Sequence, residues 1–173
     1  MQEINVFVVD DHQIFLDGIV SLLDDEPNIK IAGTAHNGKQ AVERIKNSKV
    51  DVVLMDINMP EMDGIEATKQ LKKLNPDLKI LMLTMHSEPR FIKECLEIGA
   101  KGYVMKNISK DDLLKAIDTV YQDKSYLDQD SQEKLISSIS NADDEDDRNY
   151  DELAAQITQR ELEILQLIAL GLT

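Results

Sequence analysis

Several apolar runs of this 173-residue chain stop at residues able to do chemistry. The first, Ile4 to Val9, ends at Asp10-Asp11. A later one, Val50 to Met55, ends at Asp56. Lys79 to Thr84 closes on a hydroxyl, and Lys101 to Met105 is followed at once by Lys106. If these ends meet, three carboxylates crowd one place and repel one another, so a cation is needed to keep all three charged. A hard divalent ion such as Mg2+ suits an all-oxygen ligand set of this kind. A carboxylate cluster with Mg2+, the fixed charge of Lys106 and the Thr84 hydroxyl suits a phosphoryl group, whose transfer is mostly positioning and charge neutralisation. A carboxylate can itself accept the phosphoryl group, giving an acyl phosphate.

The elements between these ends explain how they could meet. Ile14 to Leu23 carries apolar residues at helical spacing. Ile29 to Ala35 reads as a second strand, and Lys39 to Asn47 as a helix. Helices are predicted over Ile65 to Leu74, Glu88 to Ile98 and Ser109 to Tyr121, the last with Ser109 as N-cap and Asp111 and Asp112 in its first turn. Five strand–helix pairs in strict alternation predict an α/β fold: a five-stranded parallel sheet, doubly wound with helices on both faces. Uninterrupted runs such as Val52-Val53-Leu54-Met55 fit strands buried on both sides. In this class ligands bind beyond the carboxyl ends of the strands, where Asp10, Asp11, Asp56, Thr84 and Lys106 all fall.

Four strings in order, VVDDH (8–12), VVLMDINMPEMDG (52–64), LMLTMH (81–86) and KGYVMK (101–106), give the chain its resemblance. It resembles the CheY-like receiver domain of two-component response regulators over about residues 4–124. The resemblance implies that Asp56 is the phospho-acceptor and that Asp11 and Asp56 are direct Mg2+ ligands, with Asp10 acting mainly through water. It implies that Asn58 offers its backbone carbonyl to the metal, not its side chain. Lys106 would pair with Asp56 and then with the phosphoryl oxygens. Thr84 and Tyr103 match the two switch positions, and His86 a position that modulates phosphate loss. The donor would be a histidine kinase, and pairing into a homodimer would follow phosphorylation, through either the first and fifth helices or the fourth helix, fifth strand and fifth helix. Many receivers have Pro where Asn107 stands here. Simpler roles exist for single residues: Asp10 and Asp11 as a helix N-cap, Thr84 and Tyr103 as core, Pro60 and Gly64 as turn formers, His12 as a structural or solvent-facing side chain and Cys95 as packing.

Past residue 124 the character changes, and three units are expected: a receiver over 1–124, an acidic linker over 125–150 with a short helix at Ser131 to Ile139, and the start of another domain over 151–173. Asn141 to Asn149, NADDEDDRN, is the most charged stretch and reads as a solvated spacer. Thr158 and Glu161 form a capping box ahead of an apolar helix that Gly171 closes. This string resembles the first helix of the all-α helix-turn-helix domain of NarL/FixJ (LuxR-type) regulators. The base-reading second helix is missing before Thr173, so that domain reads as incomplete. The net charge is −14, and residues 129–173 hold 11 acidic against 3 basic residues. Such a surface repels phosphate backbones, so DNA is expected as a partner of the full-length protein but not of this polypeptide.

Composition narrows the classes further. Hydrophobic residues at 42% and charged residues at 30% fit a globular domain. One cysteine excludes an internal disulfide, and the start of the chain lacks a basic, long-apolar signal sequence. With no run near the ~20 apolar residues of a membrane span, a cytoplasmic protein with no membrane partner is expected. The reading is therefore a transcriptional regulator switched by phosphorylation and not an enzyme. Two other classes stand beside it: an aspartyl-phosphate phosphatase, which would want an ionisable acid at the place held by Asn58, and a stand-alone interaction module.

Overall fold

The computed structural model describes residues 3–142. The acidic run at 143–149 and the helix at 158–171 lie outside the described residues. The strands are β1 (Ile4–Val9), β2 (Ile29–Ala35), β3 (Val52–Met55), β4 (Lys79–Thr84), β5 (Gly102–Met105) and β6 (Tyr126–Leu127). The helices are α1 (Gln13–Asp24), α2 (Gly38–Ile45), α3 (Gly64–Leu74), α4 (Pro89–Glu97), α5 (Lys110–Tyr121) and α6 (Gln129–Ala142). All strands are parallel, in the order β2-β1-β3-β4-β5-β6.

Side chains alternate across a strand, so each central strand feeds two cores. Phe7, Val9, Val53, Met55, Ile80, Met82 and Tyr103 face one way, with Ala41 and Ile45 of α2, Ala67 and Leu71 of α3, and Ile92 and Cys95 of α4. Val6, Val8, Val52, Leu54, Leu81, Leu83 and Val104 face the other way, with Ile19 and Leu23 of α1 and Leu113, Ile117 and Val120 of α5. The uninterrupted apolar strands are thus covered on both faces. Ser109 caps α5 as its sequence position predicts, accepting from Asp112 N at 3.2 Å.

The sheet differs from the expected five strands in one respect. A sixth, β6, adds to the edge of β5 through Gly102–Tyr126 and Tyr103–Leu127. Two residues are too few to produce a visible alternation, so this strand left no periodic signal. The helix anticipated over Ser131 to Ile139 runs from Gln129 to Ala142, and Ser131 and Leu135 on it are buried.

Asp123, just past α5, gathers Lys79 at 2.6 Å and Lys101 at 2.9 Å at the amino-terminal rim of the sheet. Hydrogen bonds from these two ammonium groups hold its carboxyl down at about 2, below the ordinary 3.8. A depressed carboxyl stabilises the fold above its unfolded value, and that stability is lost as pH falls through the folded one. Asp123 is 62% exposed, so the effect is screened by solvent. Asp123→Asn is expected to cost at most about 1 kcal/mol at neutral pH. In urea titrations at pH 7 and pH 2 that difference should shrink at the lower pH; a constant difference would exclude the ion pairs as its source.

Candidate functional site

The ends of β1, β3 and β5 each continue the ladder by one residue, and that residue is the one with chemistry. Asp10 N donates to Ala35 O at 3.1 Å, Asp56 N to Val9 O at 3.0 Å and Lys106 N to Thr84 O at 2.8 Å. Backbone pairing therefore fixes three charged residues at one rim, with little freedom beyond their own rotamers. Their side chains converge. Lys106 Nζ lies 2.6 Å from Asp10 Oδ2 and 2.8 Å from Asp56 Oδ2. The lysine tip also sits 4.7 Å above the Phe15 ring of α1. Asp10 and Asp56 are 2% and 4% exposed.

The remaining oxygens are held as well. Asp56 Oδ1 accepts from Ile57 N at 2.8 Å, and Asp10 Oδ1 accepts from His12 N at 2.8 Å. Burial pushes the Asp56 carboxyl up; Lys106 opposes this and Asp10 adds to it. For Lys106, burial works against the charge, but its bonds to Asp10 and Asp56 win and the ammonium is held above its ordinary value. A group of this kind, buried and perturbed by specific partners in a cleft, marks a functional site.

Asp11 completes the cluster. Its Oδ1 is buried and makes no hydrogen bond; the His12 ring Nδ1 lies 3.0 Å away. Asp10, Asp11, His12 and Asp56 each offer a ligand atom within 4.8 Å of the others. Three carboxylates against one ammonium leave an excess of negative charge, and one buried oxygen lacks a donor. Both features fit a hard divalent cation. The helix-cap role for Asp10 and Asp11 is not what forms here. The residue before α1 is His12, and no side chain caps that helix.

The loop after Asp56 is fixed by close approach. Gly64 N donates to Ile57 O at 2.8 Å, and a Cβ on Gly64 would stand 1.9 Å from Asp56 O. Gly64 thus serves contact as well as turning. Asp63 starts α3 by accepting from Glu66 N at 2.8 Å.

The other predicted residues surround this centre. Thr84 is buried, and its Oγ1 accepts from His86 N at 3.2 Å. The Tyr103 ring is fully buried, and its hydroxyl donates to His86 O at 2.8 Å. Burial raises the phenol far out of reach of physiological pH. The Asn58 side-chain amide lies 2.6 Å from His86 Nε2, so it is engaged away from the carboxylates. Cys95 is buried, and burial pushes its thiol to about 12, leaving it a packing residue. His12, read from the sequence as structural or solvent-facing, is largely exposed and lies beside Asp10 and Asp11. Only its place directly after the paired acids could have signalled this. Outside the pocket, Ile14 at 90% and Met85 at 70% exposure flank an apolar groove of about 600 Å³ that Lys106 also lines.

A parallel sheet wound on both faces, with buried carboxylates and a lysine converging at its carboxyl rim, defines a receiver-type α/β domain. Residues 6–118 match the response regulator receiver domain family, and the chain belongs to that family. It is 33% identical to the transcriptional regulatory protein DegU of Brevibacillus brevis, across 98% of this chain and 76% of that protein. It is 36% identical to the response regulator UvrY of Escherichia coli strain K12, across 97% of this chain and 75% of that one. A LuxR-family two-component response regulator from Aurantimonas sp. SI85-9A1 superposes with a TM-score of 0.77 at 27% identity, covering 80% of this chain and 99% of that structure. The protein is thus a response regulator whose relatives control transcription. Among the described residues no helix is long and apolar enough to cross a membrane.

Proposed function

We propose that Asp56 takes a phosphoryl group from the phosphohistidine of a partner histidine kinase, and that the phosphorylated receiver governs DNA binding by the full-length protein. The observation that carries this reading is the Lys106 ammonium bridging Asp56 and Asp10 at the sheet rim. Asp10, Asp11 and Asp56 would hold Mg2+ with the backbone carbonyl of Asn58. The chemistry supplied by bound Mg2+ is neutralisation of the crowded carboxylates and of the phosphoryl oxygens. One Asp56 oxygen attacks phosphorus, the P–N bond of the donor breaks, and the histidine leaves with the bonding electron pair. Lys106 neutralises charge on the group being transferred.

Thr84 then leaves its bond with His86 N to donate to a phosphoryl oxygen, and this repacks the loop that Tyr103 holds through the His86 carbonyl. The change is a shift between two packings, not a new fold. His86, held by Asn58, would set how readily water reaches the acyl phosphate. A carboxamide at Asn58 cannot ionise, which supports a slow regulatory phospho-acceptor over a phosphatase. Exposed Ile14 and Met85 beside Lys106 support a protein donor, since apolar side chains at a pocket rim favour a macromolecular contact. The receiver would then be followed by an acidic spacer and a helix-turn-helix domain begun at 151–173, and pairing of two copies would accompany phosphorylation in the cytoplasm.

Incubation with a small phosphodonor tests the acceptor chemistry. Intact mass should rise by one phosphoryl group in Mg2+ and not in excess chelator. The adduct should be released by hydroxylamine, as an acyl phosphate is. A hydroxylamine-stable adduct, or labelling indifferent to chelator, would count against a carboxyl acceptor at this site.

A further inference from the structure

Helix α6 and the acidic pocket share one strand, and a single side chain joins them. The strand β6 that flanks β5 stops after Leu127, leaving the Met105 amide without a strand partner. The Asp128 carboxylate takes that place: Met105 N donates to its Oδ2 at 2.6 Å. The other oxygen, Oδ1, accepts from Ser131 N at 2.8 Å in the first turn of α6. Asp128 N donates to Tyr103 O at 3.3 Å, and Gln132 N donates to Asp128 O at 3.0 Å. One residue therefore grips β5 at Tyr103 and at Met105, immediately before Lys106, and grips the start of α6 with the same carboxylate. Further along, Leu135 of α6 is buried in the cluster that holds Ile92 and Cys95 of α4 and the Tyr103 ring.

We infer that Asp128 is a positioning residue for the phospho-acceptor site, coupling the placement of Lys106 to the docking of α6. The inference rests on the function proposed above. With α6 docked, both carboxylate oxygens are engaged and the end of β5 is fixed, so Lys106 points at Asp56. With α6 undocked, the Ser131 contact is lost, the carboxylate can turn to water, and the end of β5 loosens. A coupling of this kind is reciprocal: what the pocket does to α6, α6 does to the pocket by the same factor.

Hydrogen exchange followed by mass spectrometry on the whole chain provides the test, with beryllofluoride and Mg2+ as the phosphoryl mimic. In the wild type the mimic should protect residues 56–58 and slow exchange over 129–139 by about tenfold. Asp128→Ala should keep the first effect, at weaker affinity, and lose the second. Leu135→Ala, which lies in the core with Tyr103 and leaves every acidic residue and Lys106 in place, should weaken the mimic's affinity by about 3- to 10-fold, and this loss should vanish in the Asp128→Ala background. If Asp128→Ala does not fold, Asp128→Asn substitutes. It keeps one acceptor oxygen, meets one of the two amides with its own NH2, and should give the same loss of coupling. Protection at 56–58 with α6 exchange unchanged, or affinity losses from positions 128 and 135 that simply multiply, would overturn the inference alone. Absence of protection at 56–58 in the wild type would overturn the phospho-acceptor reading and this inference with it.

Discussion

Asp56→Asn is expected to take up no phosphoryl group, at least about 100-fold less than wild type, while keeping the wild-type fold. An amide is not a carboxylate nucleophile, and neither neighbouring acid replaces it. Asp10 has one oxygen on Lys106 and the other on the His12 amide, and Asp11 makes no contact with Lys106 that would activate it in the same way. The fold survives because the amide oxygen can still accept from Ile57 N, and Lys106 keeps Asp10 at 2.6 Å. Removing the charge also removes the burial cost and the Asp10 repulsion that push this carboxyl up. These gains offset the lost ion pair, so stability should change by no more than about 1 kcal/mol in either direction. Intact mass after phosphodonor treatment, with circular dichroism on the same sample, reads both quantities. A folded variant labelled as strongly as wild type would move the acceptor elsewhere.

Gly64→Ala should be among the most damaging small substitutions in the chain. The added Cβ would stand 1.9 Å from the Asp56 carbonyl oxygen and 2.9 Å from its carbon. Both are main-chain atoms, so no rotamer relieves the overlap. Either the start of α3 moves or the Asp56 peptide does. Forced displacement in a packed region costs about 3 kcal/mol, which corresponds to a fall in Tm of roughly 10 °C for a folded unit of this size. Because the displaced peptide carries the acceptor, labelling should fall along with stability. Gly18→Ala is the matched control. That glycine lies inside α1 with nothing within 4 Å of an added Cβ. It should raise stability by about 0.5–1 kcal/mol, because alanine loses less backbone entropy in a helix. Equal melting temperatures for the two variants would show that the close approach at Gly64 is not real.

Side chains buried on regular elements leave a pattern in the sequence, and single long-range contacts leave none. Strands buried on both faces are largely apolar, so β3 is visible as an unbroken run ending at Asp56, and β1 and β4 as runs, with Asn5 inside the first and Lys79 opening the second, that end at Asp10 and Thr84. The pocket follows from those ends because a parallel sheet aligns them. Features that depend on one contact leave no such trace. The strand β6 is two residues long and becomes a strand only because β5 has a free edge. Asp128 looks like any acid near a helix start, and its grip on Met105 exists only in three dimensions. Likewise Asn58 reaches His86 across 28 positions of chain. Gly64 reads as a turn residue, and nothing in its neighbours' identities reveals the carbonyl beneath it.

The order of the sheet leaves β2 at one border and β6 at the other. Bare borders invite another molecule to add a strand, the route to fibrous aggregates. Here β6 offers only a two-residue stub before α6 crosses over. On the opposite side the pairing of β1 with β2 slips between Val6 and Phe7, where Gly33 tucks against the Phe7 ring. A slipped border is a poor template for a straight newcomer. Both borders therefore disfavour sheet-to-sheet zippering between copies, which seldom reverses.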